Sequence, residues 1–259
     1  MRQPIVTLTT DFGLADHFVG AMKGVVLGLA PRARIVDITH QIAPFAICEA
    51  AFVAAEAFRW FPPGAVHVVV VDPGVGTSRR PILAEAAGHY FVAPDNGVLS
   101  LVLARTKHKV RAITAEKYFL RPVSRTFHGR DVFAPVAARL ALGVAPARFG
   151  KLISDYVRGG FEQPVASGKD QWTGVVLKAD RFGNLITNFR AEEVRSARFE
   201  MRTRRRRISV LTRSYAEGKP GQLFAIAGSS GYLEIAMNQG SAAALIGAAA
   251  GAEVKLKLG

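Results

Sequence analysis

The stretch AVHVVVVDPGVGTSRR, residues 65–80, decides the fold. An unbroken apolar, β-branched run that ends in an acidic Pro-Gly turn reads as a strand covered on both faces, as in a parallel sheet. Working outward, IVTLTT (5–10) reads as a buried strand and RIVDIT (34–39) as another. Between and after them, HFVGAMKGVVLGLA (17–30) and ICEAAFVAAEAFRWF (47–61) carry apolar residues at helical spacing. Strand, helix, strand, helix, strand is the alternation of a layered α/β fold with a largely parallel sheet. Downstream, PILAEA and HYFVAP read as short strands, GVLSLVLAR as a helix, VRAIT as a strand and DVFAPVAARLAL as a helix.

The texture changes near residue 160. VRGGFEQPVASGKDQW is rich in Gly, Pro and polar residues, and TGVVLKAD, NLITNF, ISVLT, QLFAIAG, GYLEIAM and VKLKL beyond it read as short strands. This predicts a smaller antiparallel barrel or sandwich without a strong helix. The expected organisation is an α/β domain over 1–162, a linker over 163–171 and a β domain over 172–259.

Composition narrows the classes. With 49% hydrophobic and 21% charged residues, the 259-residue chain is globular rather than disordered. Cys48 is the only cysteine, which excludes an intrachain disulfide and a cysteine-based zinc site and suits a reducing compartment. The opening MRQPIVTLTTDFG lacks the apolar core of a secretory signal, so a cytoplasmic location is expected. SAAALIGAAAGA (241–252) is too short to span a bilayer. The net charge of +14 raises nucleic acid as a partner, most densely at Arg202, Arg204, Arg205, Arg206 and Arg207. The competing reading, and the preferred one, is a solvated edge or turn that discourages edge pairing, with the arginines alternating along a strand.

In α/β sheets ligands sit beyond the carboxyl ends of strands. Three expected strands end there in short polar residues: Asp11, Asp72, and Asp95 with Asn96. Asp-Pro-Gly is also simply a good turn. A dinucleotide fingerprint fails, because Arg79 occupies the third glycine position and Pro81 precludes the helix; no GxxxxGK[ST] loop exists either. None of the six histidines falls in a close metal-ligand pair, and no metal site is expected. His128, in TFHGRD before a helix that Asp131 could cap, is the histidine with both a structural and a functional reading. In the β domain, Asp180 and Asn184 flank a Phe-Gly turn, and Ser229, Ser230 and Asn238 lie in turns between strands.

Taken together, TLTTDFG with VGAMKG, VVDPGVGTSRR, VAPDNG, TFHGRD, DRFGNLITNF and SSGYLEIAMN resemble the S-adenosyl-L-methionine (SAM) hydroxide adenosyltransferases, relatives of the fluorinase and chlorinase enzymes. The resemblance spans nearly the whole chain in the same order. It implies an N-terminal α/β domain, a C-terminal β-barrel, and a homotrimer with active sites at subunit interfaces. It also implies hydrolysis of SAM to adenosine and L-methionine, with water or hydroxide attacking C5′ and no metal or other cofactor.

By resemblance the catalytic constellation is Asp72, Arg79 and His128, with Arg80 the alternative arginine. The arginine would favour the hydroxide form, a histidine with its ordinary pKa near 6.5 could accept the water proton and Asp72 could orient its partners, with the recipient of the proton left open. Asp11 would hold the ribose hydroxyls, Phe127 would border the sugar, and Asp180 would take the methionine amino group. Asn184 would read the adenine edge and Tyr215 stack on its face. Ser229 and Ser230 would meet the methionine carboxylate, although Ser230 stands where the fluorinase has an arginine. Asp16, Asp95, Asn96 and Asn238 complete the expected substrate contacts. The halogenating relatives lack the Asp72 and His128 pair, so hydrolysis is preferred over halide transfer. A halogenase, or a nucleic-acid module built on the basic β domain, is the alternative, and neither nucleic acid nor membrane is the expected partner.

Overall fold

The valine run becomes the third strand of a buried sheet. A computed structural model of the chain describes residues 3–194 and 198–259, which fall into two units, Met1–Gly159 and Gly160–Gly259. The first contains β1 (Ile5–Thr10), α1 (Phe18–Leu29), β2 (Arg34–Thr39), α2 (Ile47–Ala57), β3 (Val66–Val70), β4 (Pro81–Ala86), β5 (His89–Pro94), α3 (Ser100–Ala104), β6 (His108–Ala112), α4 (Ala134–Ala141) and β7 (Leu152–Ile153). Its sheet runs β2-β1-β3-β5-β4-β6-β7. The first four of these strands are parallel, and β4, β6 and β7 extend them antiparallel.

Every residue of β3 is buried, because helices cover both faces. Val66, Val68 and Val70 pack with Val6, Leu8, Met22 and Phe133 in one apolar cluster. On the other face His67 meets the Phe58 and Phe91 rings. Its Nδ1 is 2.8 Å from Thr7 Oγ1 and its Nε2 is 3.2 Å from His89 Nδ1. Burial, then the neighbouring His89, pushes His67 down to about 3, so this pair is neutral and structural.

Three sequence expectations shift here. GVLSLVLAR yields only the single turn of α3, and the strand expected at VRAIT begins at His108. The third is DVFAPVAARLAL, which enters α4 through a π-helical turn, Gly129–Phe133. Asp131 caps no helix: its Oδ2 accepts the Ser124 amide at 2.8 Å and its carboxylate pairs with Arg130. Pro135 in the first turn of α4 explains the boundary, since proline needs no amide partner there.

The second unit contains β8 (Val165–Gly168), β9 (Gln171–Ala179), β10 (Leu185–Arg190), β11 (Phe199–Thr203), β12 (Arg206–Ile208), β13 (Leu211–Thr212), β14 (Leu223–Ala227), β15 (Tyr232–Met237), α5 (Ala242–Ile246) and β16 (Glu253–Leu258). One path, β12-β11-β16-β9-β10-β15-β14-β13, is antiparallel except at β13–β14, and β8 adds to β9. The sheet wraps a core of Val176, Leu185, Phe189, Met201, Leu233, Ile235 and Val254, which gives it half-barrel character. The stretch expected to be a linker, 163–171, instead forms β8 and the turn into β9, because its Val-Ala-Ser-Gly run finds an open strand edge.

The basic run is a hairpin, not one continuous strand. Arg204 (φ +51°) and Arg205 make its turn, and Arg202 faces Arg207 across it. Glu200 pairs with both Arg202 and Arg207. No helix among the described residues is long and apolar enough to cross a membrane.

Candidate active site

β1 and β3 are adjacent and parallel, so their carboxyl ends deliver Asp11 and Asp72 to one edge. Beyond Val71 the chain turns through Asp72-Pro73-Gly74, with the Val75 amide 3.3 Å from the Asp72 carbonyl. Gly76 has φ +77°, and a β-carbon there would run into the Arg125 carbonyl oxygen. That glycine lets the DPGVG turn lie directly against the loop carrying TFHGRD.

The turn returns Arg79 to Asp72. Arg79 Nε donates to Asp72 Oδ1 at 3.0 Å, and Nη2 donates to Oδ2. The pair is bidentate, a geometry only a guanidinium supplies. Both side chains are more than nine-tenths buried, and the guanidinium lies over the Phe133 ring at 5.3 Å. Nη2 also lies 2.8 Å from His128 Nδ1. Arg79 Nη1 is buried and has no hydrogen-bond partner among the described residues.

This arrangement fixes the tautomer of His128. A guanidinium can only donate, so Nδ1 accepts and the ring proton of the neutral imidazole sits on Nε2. Burial, then the charge of Arg79, holds His128 below its ordinary value, against the opposing influence of Asp72 and Asp131. The ring is therefore neutral at pH 7, and its uncommitted group is an N–H donor. The one lone pair of the neutral ring is thus already engaged by Arg79.

A cavity of about 320 Å³ opens beside these groups, lined by Asp11, Asp72, Phe127 and His128 together with Phe12, Phe18, Pro44, Phe45, Val70, Val75, Thr126 and Gly129. An apolar chamber with a few convergent polar groups is the usual form of a small-molecule site. Asp11 Oδ2 accepts the Phe45 amide at 3.0 Å. Burial, and more weakly the charge of Asp72, raises the Asp11 carboxyl above its ordinary value in spite of that hydrogen bond. Phe45 holds φ +66° and is 69% exposed, a backbone outlier for a bulky residue at the cavity rim. Nothing in the sequence around APFAIC signals it; Phe12 and Thr126 lie inside the TLTTDFG and TFHGRD motifs without being among the expected contacts, and Phe18 lies just before VGAMKG.

Other expected contacts have structural partners. Asp95 accepts Arg80 Nε at 3.0 Å and Nη2 at 2.7 Å on Oδ2, and the Val157 amide at 2.8 Å on Oδ1. Asn96 donates to the Val71 carbonyl at 2.8 Å and accepts from the Val98 amide at 3.1 Å, so it braces the chain just before Asp72. Neither lines the cavity. Asp16 is exposed and outside it as well. Arg80, the alternative arginine, binds Asp95 and Asp155, so the arginine that meets His128 is Arg79.

In the second unit Asp180 Oδ1 accepts the Phe182 and Asn184 amides and Oδ2 accepts Asn184 Nδ2 at 2.9 Å. Tyr215 donates to Glu234 at 2.9 Å. Burial, then Glu234, pushes the Tyr215 phenol up to about 12. Ser230 Oγ is buried without a partner among the described residues, Ser229 is exposed, and Asn238 is committed to the Gly218 carbonyl at 2.8 Å.

Comparison with known proteins gives these positions a context. Residues 6–150 match the SAM hydroxide adenosyltransferase N-terminal domain and residues 174–255 match the C-terminal domain. The (R)-S-adenosyl-L-methionine hydrolase of Salinispora tropica is 38% identical over 99% of this chain and 98% of its own. The fluorinase of Nocardia brasiliensis is 27% identical over 100% and 98%. A crystal structure of a conserved protein from Thermotoga maritima superposes with a TM-score of 0.84 at 36% identity, covering 98% of this chain and 99% of that one.

Proposed function

The chain belongs to the SAM hydroxide adenosyltransferase family, and on that footing we propose that it hydrolyses (R)-S-adenosyl-L-methionine to adenosine and L-methionine. Water or hydroxide attacks C5′; the C5′–O bond forms as the C5′–S bond breaks, and the sulfur leaves with the electron pair as the neutral thioether of methionine. The sulfonium is already a good leaving group, so the catalytic task is to present an oxygen in line behind C5′.

One observation carries this reading: Asp72 and His128 line one cavity, and the buried Arg79, clamped by Asp72, engages His128 through Nδ1 and leaves its Nε2–H as the ring's remaining donor. Such a donor stabilises a developing or formed hydroxide more than neutral water. Asp72 cancels the charge of Arg79 and fixes its plane. The cationic substrate then supplies the positive field that favours an anionic nucleophile in a low-dielectric chamber. His128 acts here as a donor that holds the nucleophile, and the proton departs to solvent.

Asp11 holds the ribose hydroxyls in this reading, and Phe127 borders the sugar. In the second unit Asp180 and Asn184 meet the amino group and the adenine edge, with Ser229 and Ser230 toward the carboxylate. Tyr215, whose hydroxyl is anchored on Glu234, offers a ring face for the adenine. The same resemblance supports a cytoplasmic homotrimer that needs no metal or other cofactor. The lower identity to the fluorinase favours water over halide as the nucleophile.

Incubation with SAM in ¹⁸O-labelled water tests the proposal. The expected result is label in the 5′-hydroxyl of adenosine and none in methionine. Formation of 5′-chloro- or 5′-fluoroadenosine on adding halide, without labelled adenosine, would overturn it.

A further inference from the structure

Beside the cavity the structure holds a second trio of polar groups in contact that the proposed reaction does not use. Thr10 Oγ1 lies 2.8 Å from His40 Nδ1. His40 Nε2 lies 3.1 Å from Asp37 Oδ1, an off-axis contact rather than an aligned hydrogen bond. Asp37 Oδ2 accepts from Lys23 Nζ at 2.5 Å. A hydroxyl, an imidazole and a carboxylate in a row have the composition of a nucleophile triad.

Burial rules out that chemistry. Thr10 is 0% exposed and His40 4%, so no substrate atom can reach the hydroxyl. The trio also runs the other way round from a serine-hydrolase triad, with the hydroxyl on Nδ1 and the carboxylate on Nε2. Its polarity is nevertheless consistent from end to end. Burial favours a neutral carboxyl at Asp37, but the hydrogen bond from Lys23 and the contact with His40 outweigh it and hold the group below its ordinary range. With the Nε2 side of the ring facing the Asp37 carboxylate, the Thr10 hydroxyl can donate to Nδ1. The Thr10 oxygen is then left to accept the Phe12 amide, which lies 3.3 Å away. The His40 carbonyl takes the Gly13 amide at 2.7 Å, and the Ile42 amide lies 3.4 Å from the Thr10 carbonyl.

These contacts converge on residues 10–13, the segment that carries Asp11 and Phe12 into the cavity. A β-bulge sets the geometry. Leu8 pairs with Asp37 but Thr9 pairs with Thr39, so β2 gains a residue and its polar end is re-aimed beneath the end of β1.

We propose that Thr10, His40 and Asp37 form a positioning relay that fixes the Asp11–Phe12 segment for binding the nucleoside part of the substrate. The inference rests on the reading of Asp11 as a ribose-binding residue. Asp72, Arg79 and His128 stand on other segments, so the relay governs binding rather than the chemical step.

Calorimetry with adenosine, together with KM and kcat for SAM, tests this on the full chain. Thr10→Val keeps the volume and removes the hydroxyl, whereas Thr10→Ser keeps it. Thr10→Val is expected to weaken adenosine binding and raise KM about tenfold with kcat within about threefold of wild type, and Thr10→Ser to restore both. Should the buried valine prevent folding, Asp37→Asn at the exposed end is expected to raise KM about threefold at unchanged kcat. Wild-type affinity and KM in the folded variants would overturn the relay. A loss confined to kcat would do the same, since it would point to a hydroxyl that takes part in the reaction. Wild-type protein that binds neither adenosine nor SAM would instead overturn the reading of the cavity and take this inference with it.

Discussion

Asp72 and Asp95 begin from nearly the same situation and end differently. Both follow adjacent parallel strands, β3 and β5, and each captures one of two consecutive arginines. Asp95 is saturated: Arg80 and the Val157 amide occupy its oxygens, and Arg80 also ties down Asp155. The Asp72 pair is more buried, yet among the described residues its guanidinium keeps a buried N–H with no partner and shares another donor with His128. An unpaired buried donor costs free energy unless something fills the vacancy. The saturated pair braces structure away from the cavity, whereas the unsaturated one holds Asp72 and His128 on the cavity wall.

The sharpest way to break this contrast is to remove the group that shares Arg79. His128→Ala is expected to lower kcat about 10²-fold, read from adenosine formation, with the fold retained. The pH dependence follows from the same contact. Below its depressed pKa the ring gains a proton on Nδ1, loses the hydrogen bond from Arg79 and places two cations together. Turnover by the wild type should fall on acidification with an inflection below 6.5. That acid limb should be missing from the residual activity of His128→Ala.

A smaller, opposite signature is expected at the saturated pair. Asp95→Asn presents an NH₂ group to donors and leaves one of them unmatched. Thermal or urea unfolding should show a loss of about 1–3 kcal/mol, with kcat within about threefold of wild type. A large loss of kcat at full stability would place Asp95 in the site after all.

What could be read in the sequence follows from how local each signal is. The valine strand and its neighbours were legible because full burial demands an unbroken β-branched run. The Asp72 turn was legible because Pro and Gly mark it. The fate of Asp95 and Asn96 was not, since both sit in an equally good turn and only their distant partners, Arg80, Val157 and Val71, distinguish brace from contact. Strand 165–168 was hidden because a Gly- and Ser-containing run becomes a strand only when β9 offers an edge. The helix α5 was overlooked despite Ser241 capping its start and Gly247 closing it in the left-handed region, signals masked by the surrounding alanines. Phe45 carries no local signal, and the partner of its amide, Asp11, lies 34 residues earlier.

The most direct test substitutes lysine at each of the two neighbouring arginines and measures turnover of SAM side by side. A lysine keeps the charge and loses the planar fork. Arg79→Lys is expected to lower kcat about 10²- to 10³-fold, while Arg80→Lys stays within about threefold of wild type. Equal losses at the two positions, or wild-type turnover by Arg79→Lys, would contradict the assignment of the unsaturated pair as the catalytic one.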